Sequence, residues 1–273
     1  MSPLKCLLVR GARRRPTTAA LAAIGLLAAF PVSARTGSTP IEELLDRTGK
    51  VIQLFWDQLL GVACTEVLSQ SKLGKNGKVL SRQESAFDYL VLMHLNGDDL
   101  TVEESRQAQR QSGNNKKMPL LVTKGFSTLV LIFHPFFQGS FEYAQLADEV
   151  VEGKRLLQVH FQHVPGSRSP AVLQLRGRDY PLALQGTAWV DPDSGAIARM
   201  DASLTSPMED VGLRVLHSDV RYAPMRLTGI EQMYWLPVMA SVDAETARQN
   251  WQNVHRFTDY KRFSATVKII TNR

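Results

Sequence analysis

The chain has 273 residues, 44% of them hydrophobic and 21% charged, with a formal net charge of +6. That is apolar enough for a sizeable core and excludes a disordered chain, while 18 glycines and 13 prolines exclude a collagen-like or Pro-rich polymer. Two cysteines exclude a disulfide scaffold, and no close Cys/His cluster suggests a zinc site.

Residues 1–34 read as a secretory signal. Lys5, Arg10, Arg13, Arg14 and Arg15 lie near the start with no acid, 17–32 is small and apolar, and Val32-Ser33-Ala34 places small residues at the cleavage position. The apolar run is shorter than the roughly 20 residues a membrane span needs, so cleavage after Ala34 is expected. No Phe-Leu-Lys-like tail follows the arginines, which favours Sec over twin-arginine export. No cysteine follows the apolar run, so the chain is not itself a lipoprotein. Removing the signal leaves a net charge of +1, which takes away the electrostatic basis for nucleic-acid binding. Cys64 is then alone in an oxidising compartment, and the reading favours a small buried hydrophobe over a reactive thiol.

Thr39-Pro40-Ile41-Glu42 reads as a helix start. Ile41, Leu44, Leu45, Thr48, Val51, Ile52, Phe55 and Leu59 then recur at steps of three and four, which predicts one apolar face on a helix over 40–60, ended by Gly61. Trp56 widens that face. The period then drops to two. Strands are predicted over 61–73 and 78–95, joined by an Asn76-Gly77 turn, with Phe87, Tyr89, Val91 and Met93 sharing a side. A short third strand is expected over 100–106 and a mobile polar loop over 107–117. The very apolar stretch 119–137 reads as a second helix over 125–134, ended near Pro135.

The rest is a succession of alternating strands. Leu157, Val159 and Phe161 share a face, and Asp191-Pro192-Asp193-Ser194-Gly195 makes a hairpin turn between strands at 181–190 and 196–204. Val211, Leu213 and Val215 alternate, as do Val238, Ala240 and Val242, and then Trp251, His255 and Phe257. No strand-helix alternation suggests a doubly wound sheet. The expected fold is α+β: a single domain over 35–273 built on a large curved antiparallel sheet, a half-barrel of about nine or ten strands. The N-terminal helix and one inserted helix lie on its concave side.

This pattern resembles the periplasmic lipoprotein-carrier superfamily, the LolA-like and LppX-like proteins of outer-membrane lipoprotein sorting. It also resembles the lipoprotein-binding sensors of envelope stress signalling. The local cues are the strand-turn-strand phrase from Gly186-Thr187-Ala188-Trp189 through Asp191-Pro192-Asp193-Ser194-Gly195 to Arg199-Met200, and Trp235-Leu236-Pro237. A likeness to a family of uncharacterised secreted bacterial proteins adds no chemistry. The resemblance implies a curved sheet holding a hydrophobic cavity, helices as a lid, and no catalysis. It carries no ligand-binding residue over to this chain.

Catalytic and metal readings are weak. Asp191-x-Asp193-x-Gly195 lacks the later acid of a calcium loop, and His160 and His163 fall on opposite faces of one strand. His255 reads as a satisfied interior histidine, and His217 and Asp219 share a parity that permits pairing. Glu103-Glu104 reads as a solvated strand end, and no catalytic motif or phosphate loop occurs. No catalytic residue, metal ligand or cofactor is expected. The cavity candidates are Phe55, Trp56, Phe126, Phe161, Trp189, Trp235, Trp251 and Phe257. A void above about 300 Å³ would favour a ligand site, and a solid interior would favour an interaction module. The expected function is a periplasmic carrier-like protein that binds a lipid or lipoprotein acyl chains, compatible with peripheral membrane contact. The alternative is a protein-protein interaction module in envelope sensing or assembly, with an envelope protein as partner.

Overall fold

The computed structural model describes residues 40–58, 61–96, 99–109, 129–175, 178–228 and 230–262. Within these segments the side chains at 56–58, 93–96, 99–102, 174, 175 and 179 are outside the description. Helix α1 (Ile41–Gln58) carries Glu42 and Glu43 in its first turn, where carboxylates meet the positive end of the helix dipole. It buries Leu44, Thr48 and Ile52, spaced by four. Gly61 opens the next strand and is not the helix cap the sequence suggested.

The strands follow in chain order: β1 (Gly61–Leu73), β2 (Val79–Asn96), β3 (Asp99–Ala108), β4 (Phe141–Gln145), β5 (Glu149–Val151), β6 (Lys154–His163), β7 (Val172–Leu175), β8 (Arg178–Pro181), β9 (Leu184–Val190), β10 (Ile197–Leu204), β11 (Leu213–Arg226), β12 (Met233–Thr246) and β13 (Asn250–Arg262). Eleven of them form one sheet in the order β3-β2-β1-β13-β12-β11-β10-β9-β6-β4, with β5 paired to β6, while β7 and β8 form a separate pair. Every pairing within it is antiparallel. The sheet is an open, curved half-barrel, with β3 and β4 at the ends of its strand order.

Alternation sets the dry face. Leu157, Val159 and Phe161 of β6, Ala188 and Val190 of β9, Met200 and Ala202 of β10, and Ala240 and Val242 of β12 all lie in the buried core. The predicted Asn-Gly turn is present: Gly77 has φ 75°, and the Asn76 Oδ1 accepts a hydrogen bond from the Lys78 N–H. Val211 belongs to a 3₁₀ turn (Glu209–Val211), and Leu213 is buried while Val215 is exposed, because the β11–β12 register shifts between them, so the three valine and leucine positions do not share the expected dry face.

The inserted helical segment differs from its predicted form. Its described part is a 3₁₀ turn (Leu129–Phe133) followed by the short helix α2 (Pro135–Gln138). The 3₁₀ turn ends at Phe133, just before Pro135 as expected, but Pro135 also starts the next helix, since proline suits the first position, where its missing N–H is not needed. His134 is the N-cap, its Nδ1 accepting from the Phe136 N–H at 3.1 Å. The apolar reading holds, since Leu129, Leu131, Ile132 and Phe133 are buried. The Gln138 side chain ties the segment to α1 by donating to the Leu45 carbonyl at 3.0 Å. Thr39, the 97–98 turn, most of the 107–117 loop and the strand residues beyond 262 lie outside the described residues, as do residues 1–34.

Candidate functional site

The Asp191-to-Gly195 hairpin turn anchors α1 over the sheet. The Asp191 Oδ1 accepts the backbone N–H groups of Asp193 and Ser194, and its carboxylate pairs with Lys154. Burial raises the Asp191 pKa, but Lys154 and the two N–H donors outweigh it and hold the group below its ordinary value. One oxygen therefore serves the turn and the other ties it to Lys154 of β6. Gly195 has φ 74°, and a Cβ there would stand 2.9 Å from Arg47 Cγ and 3.1 Å from the Thr48 backbone nitrogen. Only glycine meets both demands. The Arg47 guanidinium donates to the Pro192 carbonyl and completes the clamp.

Beyond this clamp, the second half of α1 spans a cavity of about 190 Å³. Val51, Ile52, Leu54 and Phe55 form its roof. Val62 and Cys64 of β1, with Tyr89 and Val91 of β2, form one wall, and Tyr222, Tyr234, Leu236 and Tyr260 close the other. No charged residue is among the described lining residues. Leu54 and Met233 at the rim are 49% and 48% exposed, so the cavity reaches the surface there. Phe55 packs on Tyr234 with ring centroids 5.6 Å apart. The volume is below the roughly 300 Å³ typical of a small-molecule pocket.

Of the eight aromatic candidates, Phe55 and Trp235 line this cavity. Phe161 packs in the solid core between Phe133 and Phe141. Trp189 lies on the outer face, its indole N–H on Glu149 and the Arg199 guanidinium over its ring. Trp251 sits under Lys72, and Phe257 is stacked on His255 at 6.2 Å. Trp56 is on α1, with its side chain outside the description, and Phe126 lies outside the described residues. Tyr260 was not legible by parity. A bulge shifts the β1–β13 register between Ala63/Lys261 and Thr65/Thr258, with Asp259 at φ 55°, so Phe257 and Tyr260 both turn inward. The Tyr260 hydroxyl donates to the Pro237 carbonyl at 2.5 Å.

Cys64 is a buried free thiol in the cavity wall. Burial pushes its pKa up to about 12, helped by the Glu66 charge. The native protein is therefore expected to leave Cys64 unmodified by a thiol-specific reagent at pH 8, with stoichiometric reaction only in denaturant. Rapid native labelling would contradict this burial.

Next along β1 comes a buried ionic cluster. Glu66 accepts from Arg106 of β3 (Nε to Oε2 2.5 Å, Nη2 to Oε1 3.1 Å) and from His255 of β13 (Nδ1 to Oε1 2.7 Å). The Glu66 side chain is fully buried, and Arg106 stacks on the Tyr89 ring at 4.6 Å. Burial raises the Glu66 pKa, yet the His255 and Arg106 hydrogen bonds prevail and hold it below its ordinary value. Burial dominates at His255 and pushes its pKa down, so the neutral imidazole donates to the Glu66 carboxylate. Glu104 approaches Arg106 at 3.7 Å with a side chain only 3% exposed. The Glu103-Glu104 pair is therefore not a solvated strand end, since Glu104 turns inward toward Arg106.

On the outer face His217 pairs with Asp201 at 2.8 Å and lies 3.7 Å from Asp243, while Asp219 takes Arg199. The expected His217–Asp219 pairing is thus replaced by cross-strand partners. Equal parity on one strand sets these groups two positions apart, whereas neighbouring strands bring carboxylates closer.

No family model matches the chain, and no curated protein matches it. Among solved structures it is similar to a DUF1329 family protein from Desulfovibrio piger, at 14% identity and a TM-score of 0.44 over 84% of this chain and 96% of that one. It is also similar to a LolA superfamily protein from Nitrosomonas europaea, at 12% identity and a TM-score of 0.38 over 84% and 96%. A domain described as an outer membrane lipoprotein-sorting protein from Vibrio parahaemolyticus is similar at 11% identity and a TM-score of 0.37, over 82% and 95%. Among the described residues no helix is long and apolar enough to cross a membrane.

Proposed function

We propose that the chain is exported to the periplasm and holds a hydrophobic ligand, a lipid or lipoprotein acyl chain, between α1 and the concave sheet, without catalysis. The observation that supports this reading is the uncharged cavity roofed by Val51 to Phe55 and open at Leu54 and Met233. Its size bears on the mechanism. An apolar cavity of about 150 Å³ admits benzene, so about 190 Å³ holds on the order of six or seven carbons. At about 0.8 kcal/mol per methylene that yields roughly 5 kcal/mol, short of the 8 kcal/mol of micromolar binding. A tighter hold therefore requires α1 to swing outward and admit more of the chain. The Arg47–Pro192 and Gln138–Leu45 hydrogen bonds are the latches such a motion would break.

A second reading is a protein-protein interaction module in envelope sensing or assembly, joined through the β3 or β4 edge. The modest cavity volume favours it. Native mass spectrometry of protein purified from its own periplasm separates the two. A co-purifying lipid is the expected result. A stoichiometric protein partner without lipid would favour the second reading, and recovery from the cytosol with residues 1–34 intact would contradict export.

A further inference from the structure

The cavity under α1 is bordered by more rings than an acyl chain needs. Phe55, Tyr89, Tyr222, Tyr234, Trp235 and Tyr260 all line it. Four of these are tyrosines, whose hydroxyls must find partners when buried. The Tyr260 hydroxyl donates to the Pro237 carbonyl, and that of Tyr222 to the Met200 sulfur at 4.0 Å. What these two tyrosines offer a ligand is therefore ring surface. An aliphatic lining would receive a saturated chain equally well without burying a hydroxyl. We infer that the group this cavity takes is a single aromatic ring, carried by an uncharged amphiphile whose remaining part leaves by the mouth at Leu54 and Met233.

The inference rests on the cavity being the ligand site, and it narrows what enters. Size agrees with it. A space of about 150 Å³ admits benzene, so about 190 Å³ receives one ring with a short substituent while α1 stays in place. An acyl chain outgrows the same space. Ring quadrupoles add to the fit. An aromatic ligand can set its edge against the face of a lining ring, much as Phe55 and Tyr234 lie tilted by 60° with centroids 5.6 Å apart. Each such pair strengthens binding by about two- to tenfold beyond the area buried, and a saturated chain gains nothing of this kind. Two cations near the mouth are already paired. Lys50, one turn before Leu54, is held by Asp46, and Lys154, over the Trp235 ring, by Asp191. Neither is left to hold a carboxylate or phosphate, which favours an uncharged ligand.

Displacement of the uncharged fluorescent probe N-phenyl-1-naphthylamine by 2-phenylethanol, 2-cyclohexylethanol and 1-octanol, which share a carbon count and a hydroxyl, tests this. The alcohols differ in how readily they leave water, so the quantity read is the ratio of two affinities in the wild type over the same ratio in a variant. In Phe55→Leu/Tyr234→Leu the preference for 2-phenylethanol over either saturated alcohol is expected to fall by about tenfold, and in Phe55→Leu alone by about threefold. The single variant carries the test should the double variant not fold. The ratio between the two saturated alcohols is expected to stay unchanged. A phenyl ratio that does not fall, or a saturated ratio that shifts as much, overturns the ring and leaves the apolar cavity standing. Absence of saturable probe binding to the wild-type protein removes the cavity reading itself, and the ring with it.

Discussion

Replacing Arg106 with Met is expected to lower stability by about 3–5 kcal/mol, because it leaves the Glu66 carboxylate buried without its cation. For a chain of this size that is a Tm decrease of about 6–20 °C. The partner substitution distinguishes charge from packing. A Glu66→Leu/Arg106→Met double variant removes both charges and is expected to recover most of the loss. A single variant within about 1 kcal/mol of wild type would show the carboxylate to be solvated, as at a surface pair. The same cluster sets the pH dependence. Glu66 and His255 both bind a proton less readily in the folded than in the unfolded chain, whose values are 4.5 and 6.5. The unfolded state therefore takes up more protons on acidification. Stability is expected to fall first as pH drops below 6.5, through His255, and again below 4.5, through Glu66. His217 acts in the opposite direction. Burial lowers its pKa, but Asp201 and Asp243 prevail and raise it, so its contribution is present below 6.5 and is lost as pH rises through the raised value. Its partial exposure makes that contribution the smaller one. Chemical denaturation across pH 4 to 8, compared between wild type and His217→Gln, separates the two.

The second large effect is expected at Gly186, on β9, an interior strand of the sheet paired on both sides. It stands opposite Ala202 of β10 and Phe161 of β6. A Cβ at this position would lie 1.9 Å from the Asp201 carbonyl oxygen and 2.9 Å from the Ala202 Cα. Both are backbone atoms within a paired strand, so no side-chain rotation relieves the clash. Gly186→Ala is therefore expected to separate β9 from β10 locally and to cost about 3 kcal/mol or more, at the upper end for overpacking. A denaturation midpoint equal to wild type would mean that the two strands do not approach as described.

The fold was legible because its signals are local. The four-residue spacing of Leu44, Thr48 and Ile52, the Asn76-Gly77 turn and the parity of β6, β10 and β12 each act over a few residues. Parity failed where a bulge intervened, and Tyr260 was missed for that reason. Pro135 follows the end of one helical segment and opens another, and because proline serves equally in both places the second helix has no separate signal in the sequence. The ionic cluster was missed for a different reason. Glu66, Arg106 and His255 are separated by 40 and 189 residues, and an inward-facing acid on a strand looks like an outward one until its partners are placed. Phe55 and Trp235 were named among eight aromatic candidates, yet composition gives no measure of whether an aromatic fills space or borders a void. Cavity volume is a difference between packed surfaces and has no local signature.

If an apolar ligand occupies the space under α1, as we propose, a substitution that fills this space excludes it. Val62→Phe adds a ring to the wall opposite Val51 and Phe55. Titration with N-phenyl-1-naphthylamine is expected to show saturable binding to the wild-type protein, weakened by about tenfold or more in Val62→Phe, with Tm unchanged or raised. Equal binding by the two proteins would place the ligand elsewhere and contradict the claim.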